Sequence, residues 1–266
     1  MKMRLQVIVS TMNQTDYSLL DKMNIQSDAV VINQCDRNSV EDFDYNGHKI
    51  KWISMVERGI GLSRNTGILH SDADVILFAD DDIQYADGYA DGVLNAFEKN
   101  PEADVVCFNI NLVNSNKNIG GHRNNTENKK LNPFNSMRYG ACLIAARRKA
   151  ILRERIAFSL LFGGGAEFNS GEDSIFVKDC LDAGFKLYSD TFFLGDVDDS
   201  QSSWYKGIND EFFMHRGMVY YLIFPVIHLP IFAYYGLRLS RLDKNYGFFK
   251  IVSLFKKGKG IIRRYR

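Results

Sequence analysis

The sequence predicts an α/β domain with a mainly parallel central sheet flanked by helices. Three observations lead there. Short apolar runs rich in β-branched and aromatic residues alternate with longer stretches of helical period along most of the chain. Such alternation favours parallel strands joined by helices on both faces. A chain of 266 residues, 45% of them hydrophobic, is long enough to bury one sizeable core.

Each element follows in order. Leu5 to Val9 is a first strand: the start is basic, but the apolar run is short and no small-residue cleavage site follows, so it is not read as a signal peptide. Tyr17 to Ile25 has helical spacing, and Ala29 to Ile32 and Lys49 to Met55 are the next strands. Leu62 to His70 is a helix, Val75 to Phe78 a buried strand, Gly88 to Lys99 a helix and Val105 to Ile110 a strand. Asn111 to Asn135, rich in Asn, Lys and Gly, has no period and reads as a long polar loop of the kind that often binds substrate. Ala141 to Ala145 is expected as a strand, then Arg147 to Arg155 and Glu172 to Ala183 as helices, the last ended by Gly184. No repeat of 20 to 50 residues is present.

Charge is unevenly placed. The net charge is +1, yet Arg238 to Arg266 holds ten Lys or Arg against Asp243 alone, which leaves −8 for the rest. An acidic body offers no extended basic groove, so nucleic acid is not an expected partner. Val219 to Leu239 approaches membrane-spanning length but contains Pro225, His228 and Pro230, so an interfacial or buried segment is expected there. Cys35, Cys107, Cys142 and Cys180 lack CxxC spacing and suggest neither a zinc knuckle nor a disulfide framework, which fits a reducing compartment. The Asn-x-Thr sites at Asn13 and Asn124 are read as chance matches.

Three motifs carry chemistry. The strand at Val75 to Phe78 runs into Asp80-Asp81-Asp82, at the carboxyl end where open α/β sheets bind ligands. Three adjacent carboxylates repel unless a cation sits among them, and oxygen donors suit Mg²⁺ or Mn²⁺. Taken alone, the triplet equally fits a solvated turn. In Ile60 to His70, IGLSRNTGILH, Ser63 is placed to cap a helix whose first turn projects Arg64 and Asn65, a seat for a diphosphate or polar base. Gly163-Gly164-Gly165 leads to Gly171-Glu172-Asp173 at the start of a third helix. Gly164 and Gly165 would let a bulky polar substrate approach, and a carboxylate there can act as a general base.

Together, Gly61-Leu62-Ser63-Arg64-Asn65, Asp80-Asp81-Asp82 and Gly171-Glu172-Asp173, in that order and separation, resemble the family 2 glycosyltransferases of GT-A fold, over about residues 1 to 207. The resemblance implies a GT-A domain at 1–207; beyond it, the apolar and basic stretch at 208–266 is expected as a helical extension that associates with membrane. It implies metal-dependent, inverting transfer of a sugar from a nucleotide-diphosphate sugar, with UDP favoured, to a saccharide or lipid-linked saccharide in surface-polysaccharide synthesis. Asp80 would hold the nucleoside, with Arg64, Asn65 and Asp81 beside it, and Asp82 would ligate the Mn²⁺ or Mg²⁺. Asp173 would be the base and Glu172 its support. Thr11, Gln34 and Asp36, at the ends of the first two strands, are candidates for base recognition, although the proline and paired acids common in the family are absent there. Trp204 is a candidate for stacking on a sugar. Gln201-Ser202-Ser203-Trp204 lacks the QxxRW pattern of processive synthases, so one sugar per encounter is expected. The expected location is the cytoplasmic face of a membrane, with the tail on anionic lipid.

Other classes fit less well. A nucleotidylyltransferase would be expected to carry a basic Gly-rich loop near the N-terminus, and Ser10 to Thr15 has no glycine. GxxxxGK[ST] does not occur, which disfavours a P-loop enzyme. An inactive sugar-nucleotide-binding module would not need Asp80, Asp82 and Asp173 together.

Overall fold

The computed structural model describes residues 3–113, 123–198, 207–241 and 244–265. One ten-stranded sheet forms its centre, with helices packed around it. The strands are β1 (Leu5–Met12), β2 (Asp28–Gln34), β3 (Ser39–Tyr45), β4 (His48–Met55), β5 (Val75–Asp80), β6 (Ile83–Tyr85), β7 (Val105–Val113), β8 (Lys129–Lys130), β9 (Ile144–Arg147) and β10 (Leu187–Asp198). They lie in the order β3-β4-β2-β1-β5-β9-β7-β10-β6, with β8 beside β10. The pairings leave β4, β2, β1, β5, β7 and β10 pointing one way, and β3, β6, β8 and β9 the other. The sheet is therefore mainly parallel, and the carboxyl ends of β1, β2 and β5 share one edge.

Helices α1 (Leu19–Lys22), α2 (Ile60–His70), α3 (Tyr89–Lys99), α4 (Arg148–Arg153) and α5 (Glu172–Asp182) accompany the sheet. The parallel strands are buried along nearly their whole length: β2 is buried from Ala29 to Gln34 and β5 from Val75 to Ala79. That burial explains why these runs stand out in the sequence as continuous apolar stretches. β3, by contrast, is an edge strand with a half-exposed alternating pattern, and SVEDFDY carries too few apolar residues to announce itself.

Several boundaries differ from expectation. The strand expected at Ala141 to Ala145 is a 3-10 turn at Ala141–Leu143 followed by β9, which runs antiparallel between β5 and β7. The helix expected from Tyr17 to Ile25 is one turn, because Asn24 takes a left-handed conformation (φ +52°) and hands the chain to β2. β10 was not expected at all: its twelve residues include register shifts against β7, and these break the simple alternation. β7 and β8 take part of the long polar segment, of which 114–122 lie outside the described residues.

The C-terminal part forms α6 (Asp210–Ile223), α7 (His228–Leu239) and α8 (Phe248–Ile262). Val219 to Leu239 is thus two helices broken around Phe224 and Pro225, and among the described residues no helix is long and apolar enough to cross a membrane. α6 and α8 cross closely, since a Cβ on Gly217 would stand 2.4 Å from Phe255 Cα and one on Gly258 would stand 2.0 Å from the Met214 carbonyl oxygen. Ile251, Leu254, Phe255 and Ile262, in the tail expected to lie on anionic lipid, are buried against α6 and α7. Phe162 and Phe168 join Val219, Ile223 and Phe224 in one apolar cluster, so these helices pack onto the loop before α5.

Candidate active site

The site is organised by α2. The sequence suggested Ser63 as the helix cap, but the helix begins at Ile60, with Gly59 at φ +130° before it. Its first N–H groups are satisfied from outside: Gln34 Oε1 accepts from Gly59 N (2.6 Å) and the Gly164 carbonyl accepts from Ile60 N (2.9 Å). Ser63 is therefore free to turn inward, where its hydroxyl donates to Ser10 Oγ at 2.8 Å. Arg64 then falls in the second turn, with its side chain only 3% exposed.

Burial of a guanidinium demands paired carboxylates, and two elements supply three of them. Arg64 Nη2 donates to Asp80 Oδ1 at the end of β5 (2.9 Å), and Nη1 donates to Asp173 Oδ1 (2.8 Å) and Glu172 Oε1 (3.3 Å) on the first turn of α5. The Arg64 guanidinium also lies 5.1 Å from the centre of the Phe158 ring. Burial alone would lower the Arg64 pKa, but Asp80, Asp173 and Glu172 more than offset it and hold the cation firmly charged. Asp173 is pushed the other way. Burial, then the Glu172 charge, raise it to about 7 against the pull of Arg64. Its side chain is 26% exposed against 12% for Glu172, so Asp173 is the carboxylate of the pair that an incoming group can reach.

The neighbouring acids face a second set of partners. Thr11, at the end of β1, donates to Asp81 Oδ2 at 2.5 Å and accepts from Gln14 Nε2 at 2.9 Å. Asp82 is half-buried, and its carbonyl accepts from Asp198 N at 3.3 Å. Asp36 is exposed just beyond β2, on the same edge of the sheet. Asn65 differs from expectation in its contacts: its amide donates to the Phe158 carbonyl (2.9 Å) and accepts from Phe158 N (2.8 Å), fixing that backbone beneath Arg64. Among the described residues no three His, Cys, Asp or Glu side chains converge as a ready-made metal cage. The triplet Asp80 to Asp82 nevertheless offers hard oxygen donors. Ions such as Mg²⁺ commonly keep one or two protein carboxylates and take other ligands from phosphate and water.

The glycines work mainly through shape. Gly163 has φ +108°, and a Cβ there would lie 2.5 Å from Ile60 Cγ2 and 2.9 Å from Glu172 Cδ. The loop can therefore bridge the starts of α2 and α5. Gly164 and Gly165 are exposed on its rim, and the Gly164 carbonyl is the one that caps α2. Trp204 lies outside the described residues.

Two residues at the site went unnoticed in the sequence. Cys142, in the turn before β9, lies among the acids: burial and then Asp80, Asp82 and Asp173 push its thiol well above the ordinary range. Phe158 stacks on Phe176 of α5 at 4.1 Å and carries Arg64 on its other contacts. Neither has a local signal, since each matters only through strands and helices distant in sequence. Next to the start of α5, a cavity of about 1030 Å³ is lined by Gly171 and Ser174, by residues between 123 and 138 and by helices α6 and α7. His215, buried in its wall, is pushed toward the neutral form by that burial, against Glu211 at 3.9 Å.

Comparison with known proteins bears on this arrangement. No curated protein matches the chain. Solved structures do: Staphylococcus aureus TarS 1-349 in complex with UDP-GlcNAc aligns over 92% of this chain and 75% of its own, at 16% identity and TM-score 0.63. The same protein with UDP aligns over 92% and 74%, at 18% identity and TM-score 0.62. The mannosyltransferase PcManGT from Pyrobaculum calidifontis, in complex with GDP-Man and Mn²⁺, aligns over 85% and 64%, at 12% identity and TM-score 0.50. This chain thus spans between 64% and 75% of their lengths, and at such identities the likeness is one of fold. The family model for glycosyl transferase family 2 matches residues 12–156, more than half the chain, and ends beyond Arg64 and Asp80 to Asp82. With this sheet and that match, the chain belongs to glycosyltransferase family 2 and has the GT-A fold.

Proposed function

We propose that the protein transfers one sugar from a nucleotide-diphosphate sugar, a UDP-sugar in our reading, to a hydroxyl of a saccharide acceptor, with inversion at the anomeric carbon. The observation that carries this reading is the Arg64 junction, which ties Asp80, at the strand end where the donor would lie, to Asp173, a carboxylate poised near pH 7. In the reaction the acceptor oxygen bonds to the anomeric carbon as the bond from that carbon to the diphosphate oxygen breaks. The hydroxyl proton passes to Asp173, and the leaving group departs as a nucleoside diphosphate. Glu172 keeps Arg64 and Asp173 in register. Thr11, Asp36, Arg64, Asn65, Asp80 and Asp81 would surround the nucleotide, Asn65 by holding the Phe158 backbone in place. Asp82 would hold Mn²⁺ or Mg²⁺, which when bound neutralises charge on the diphosphate.

The division at about residue 207 and the location belong to the same proposal. Residues 1–207 would be the catalytic unit and 208–266 a docking unit on the cytoplasmic face of a membrane. Val226 is 91% exposed, and Ile227, Leu229, Tyr234 and Leu237 form an exposed apolar face on and before α7. Arg238, Arg241 and Lys250 are exposed nearby in the sequence, a combination that suits anionic lipid. A lipid-linked saccharide of surface-polysaccharide synthesis would then meet Asp173 on one surface.

The test is a panel of nucleotide sugars against the purified full chain with and without Mn²⁺, reading protection from thermal unfolding and slow donor hydrolysis. Metal-dependent protection by one nucleotide sugar, lost in Asp82→Asn, supports the reading. No protection by any of them contradicts it.

A further inference from the structure

The cavity beside α5 differs in charge from the donor edge, and that difference has chemical meaning. Its wall includes Gly171 and Ser174, the residues on either side of the Glu172-Asp173 pair in the chain, so the cavity adjoins the helix start that carries the carboxylates. Four arginines line it: Arg123 and Arg138 on one side, Arg216 and Arg238 on the other. Lys129 also lines it but is paired with Glu127 at 2.7 Å, and Glu211 is the remaining acid of the wall. The donor edge, by contrast, gathers Asp80, Asp81, Asp82, Glu172 and Asp173.

The arginines are held rather than loose. Arg138 lies over the Tyr139 ring at 4.6 Å and donates to Tyr139 Oη at 2.8 Å. Arg216 lies over Phe212 at 4.5 Å and donates to Tyr220 Oη at 3.4 Å. Tyr220 stacks on Tyr235 at 4.3 Å, and the charges of Arg238 and Arg216 both reach the Tyr235 hydroxyl. No carboxylate pairs with Arg216 or Arg238 among the described residues. A cavity whose wall carries four arginines against Glu211, with Glu127 taken up by Lys129, attracts an anion, and planar guanidinium forks match phosphate oxygens. Tyrosine faces beside them suit a sugar ring.

We propose that this cavity is the acceptor site and that the acceptor is a saccharide bearing a phosphate group. The phosphate lies between Arg216 and Arg238, and the sugar hydroxyl points past Ser174 to Asp173. The proposal rests on the transferase reading for the role of Asp173, but the binding it asserts can be measured without turnover.

The experiment is calorimetric titration of the full chain, with its donor site first saturated by UDP and Mn²⁺, using N-acetylglucosamine 1-phosphate, glucuronate and neutral N-acetylglucosamine as probes at low and high salt. The sugar phosphate is expected to bind at least about tenfold more tightly than the neutral sugar and to weaken with salt. Arg216→Gln/Arg238→Gln is expected to lose that preference. Because Arg216 also packs on Phe212, the single variant Arg238→Gln, at an exposed position, is measured in parallel and should lose several-fold in affinity with an unchanged melting temperature. Equal binding of charged and neutral sugars, or full binding by both arginine variants, overturns the proposal. Tighter binding of glucuronate than of the sugar phosphate overturns the phosphate assignment. Failure of UDP to bind in the first place would instead count against the transferase reading.

Discussion

Arg64 Nη1 lies 2.8 Å from Asp173 Oδ1 and 3.3 Å from Glu172 Oε1, while its Nη2 lies 2.9 Å from Asp80 Oδ1. A single buried cation thus joins the end of β5 at Asp80 to the start of α5 at Glu172, 92 residues further along the chain. It also sets the state of Asp173, whose carboxyl would rise further still without it.

Removing that cation leaves three carboxylates facing one another with nothing between them. Arg64→Met should destabilise the fold by about 3–5 kcal/mol, read as a lower midpoint in urea. Arg64→Lys should recover part of this, because one ammonium cannot fork to both elements. A loss below about 1 kcal/mol for Arg64→Met would show that the junction behaves as a surface pair.

The raised Asp173 fixes a pH dependence. Its folded value of about 7 stands above the ordinary 3.8, so between those limits the folded protein holds a proton that the unfolded chain has released. The contribution of Asp173 to stability therefore falls as pH climbs from about 4 to 7, and Asp173→Asn should flatten that part of the stability profile. If Asp173 is the base, transfer needs its ionised form, so kcat/KM for the acceptor should rise with pH and level off above about 7. A rate that is flat from pH 5 to 8 would remove Asp173 from the base role, those limits being set about one to two units around its value of about 7.

Close backbone contact between α6 and α8 predicts a packing defect. In Gly217→Ala the new methyl would meet Phe255 Cα at 2.4 Å and its carbonyl oxygen at 2.5 Å. Neither atom can turn away as a side-chain tip does, so the helices must separate, at a cost of about 1–3 kcal/mol. Chemical denaturation measures it, and an unchanged midpoint would mean that the crossing is looser than this.

For membrane docking, the exposed face and the buried one make opposite predictions. Val226→Asp/Leu229→Asp/Leu237→Asp alters residues that are exposed, whereas Ile251, Leu254 and Phe255 are buried against α6 and α7. The full chain should sediment with anionic vesicles more than with neutral ones, and less at high salt. The triple variant should stay in the supernatant. Equal sedimentation of the two proteins would rule out this face as the docking surface.

How far the sequence reached depended on whether a feature is local. The buried parallel strands were legible because β1, β2 and β5 are unbroken apolar runs. β3 and β10 were not, one an exposed edge and the other irregular in register. At the site, Asp80 and Asp173 were visible as acids at element boundaries, and the structure brings them together. The depth of Arg64 was not visible, since it depends on Gln34 and Gly164 capping α2 in place of Ser63. In the tail, the sequence showed apolar residues among basic ones without saying which side is covered. Packing of α8 on α6 turned Ile251, Leu254 and Phe255 inward and left Val226 and Leu229 outside.

In the proposed mechanism the acceptor's proton passes to Asp173. Single-turnover transfer by Asp173→Asn, with nucleotide-sugar affinity measured on the same sample, tests it most directly. Transfer is expected to fall by about 10²-fold or more while donor affinity changes little. Transfer that persists per bound donor, with donor affinity collapsed, would make Asp173 a binding residue and contradict the mechanism.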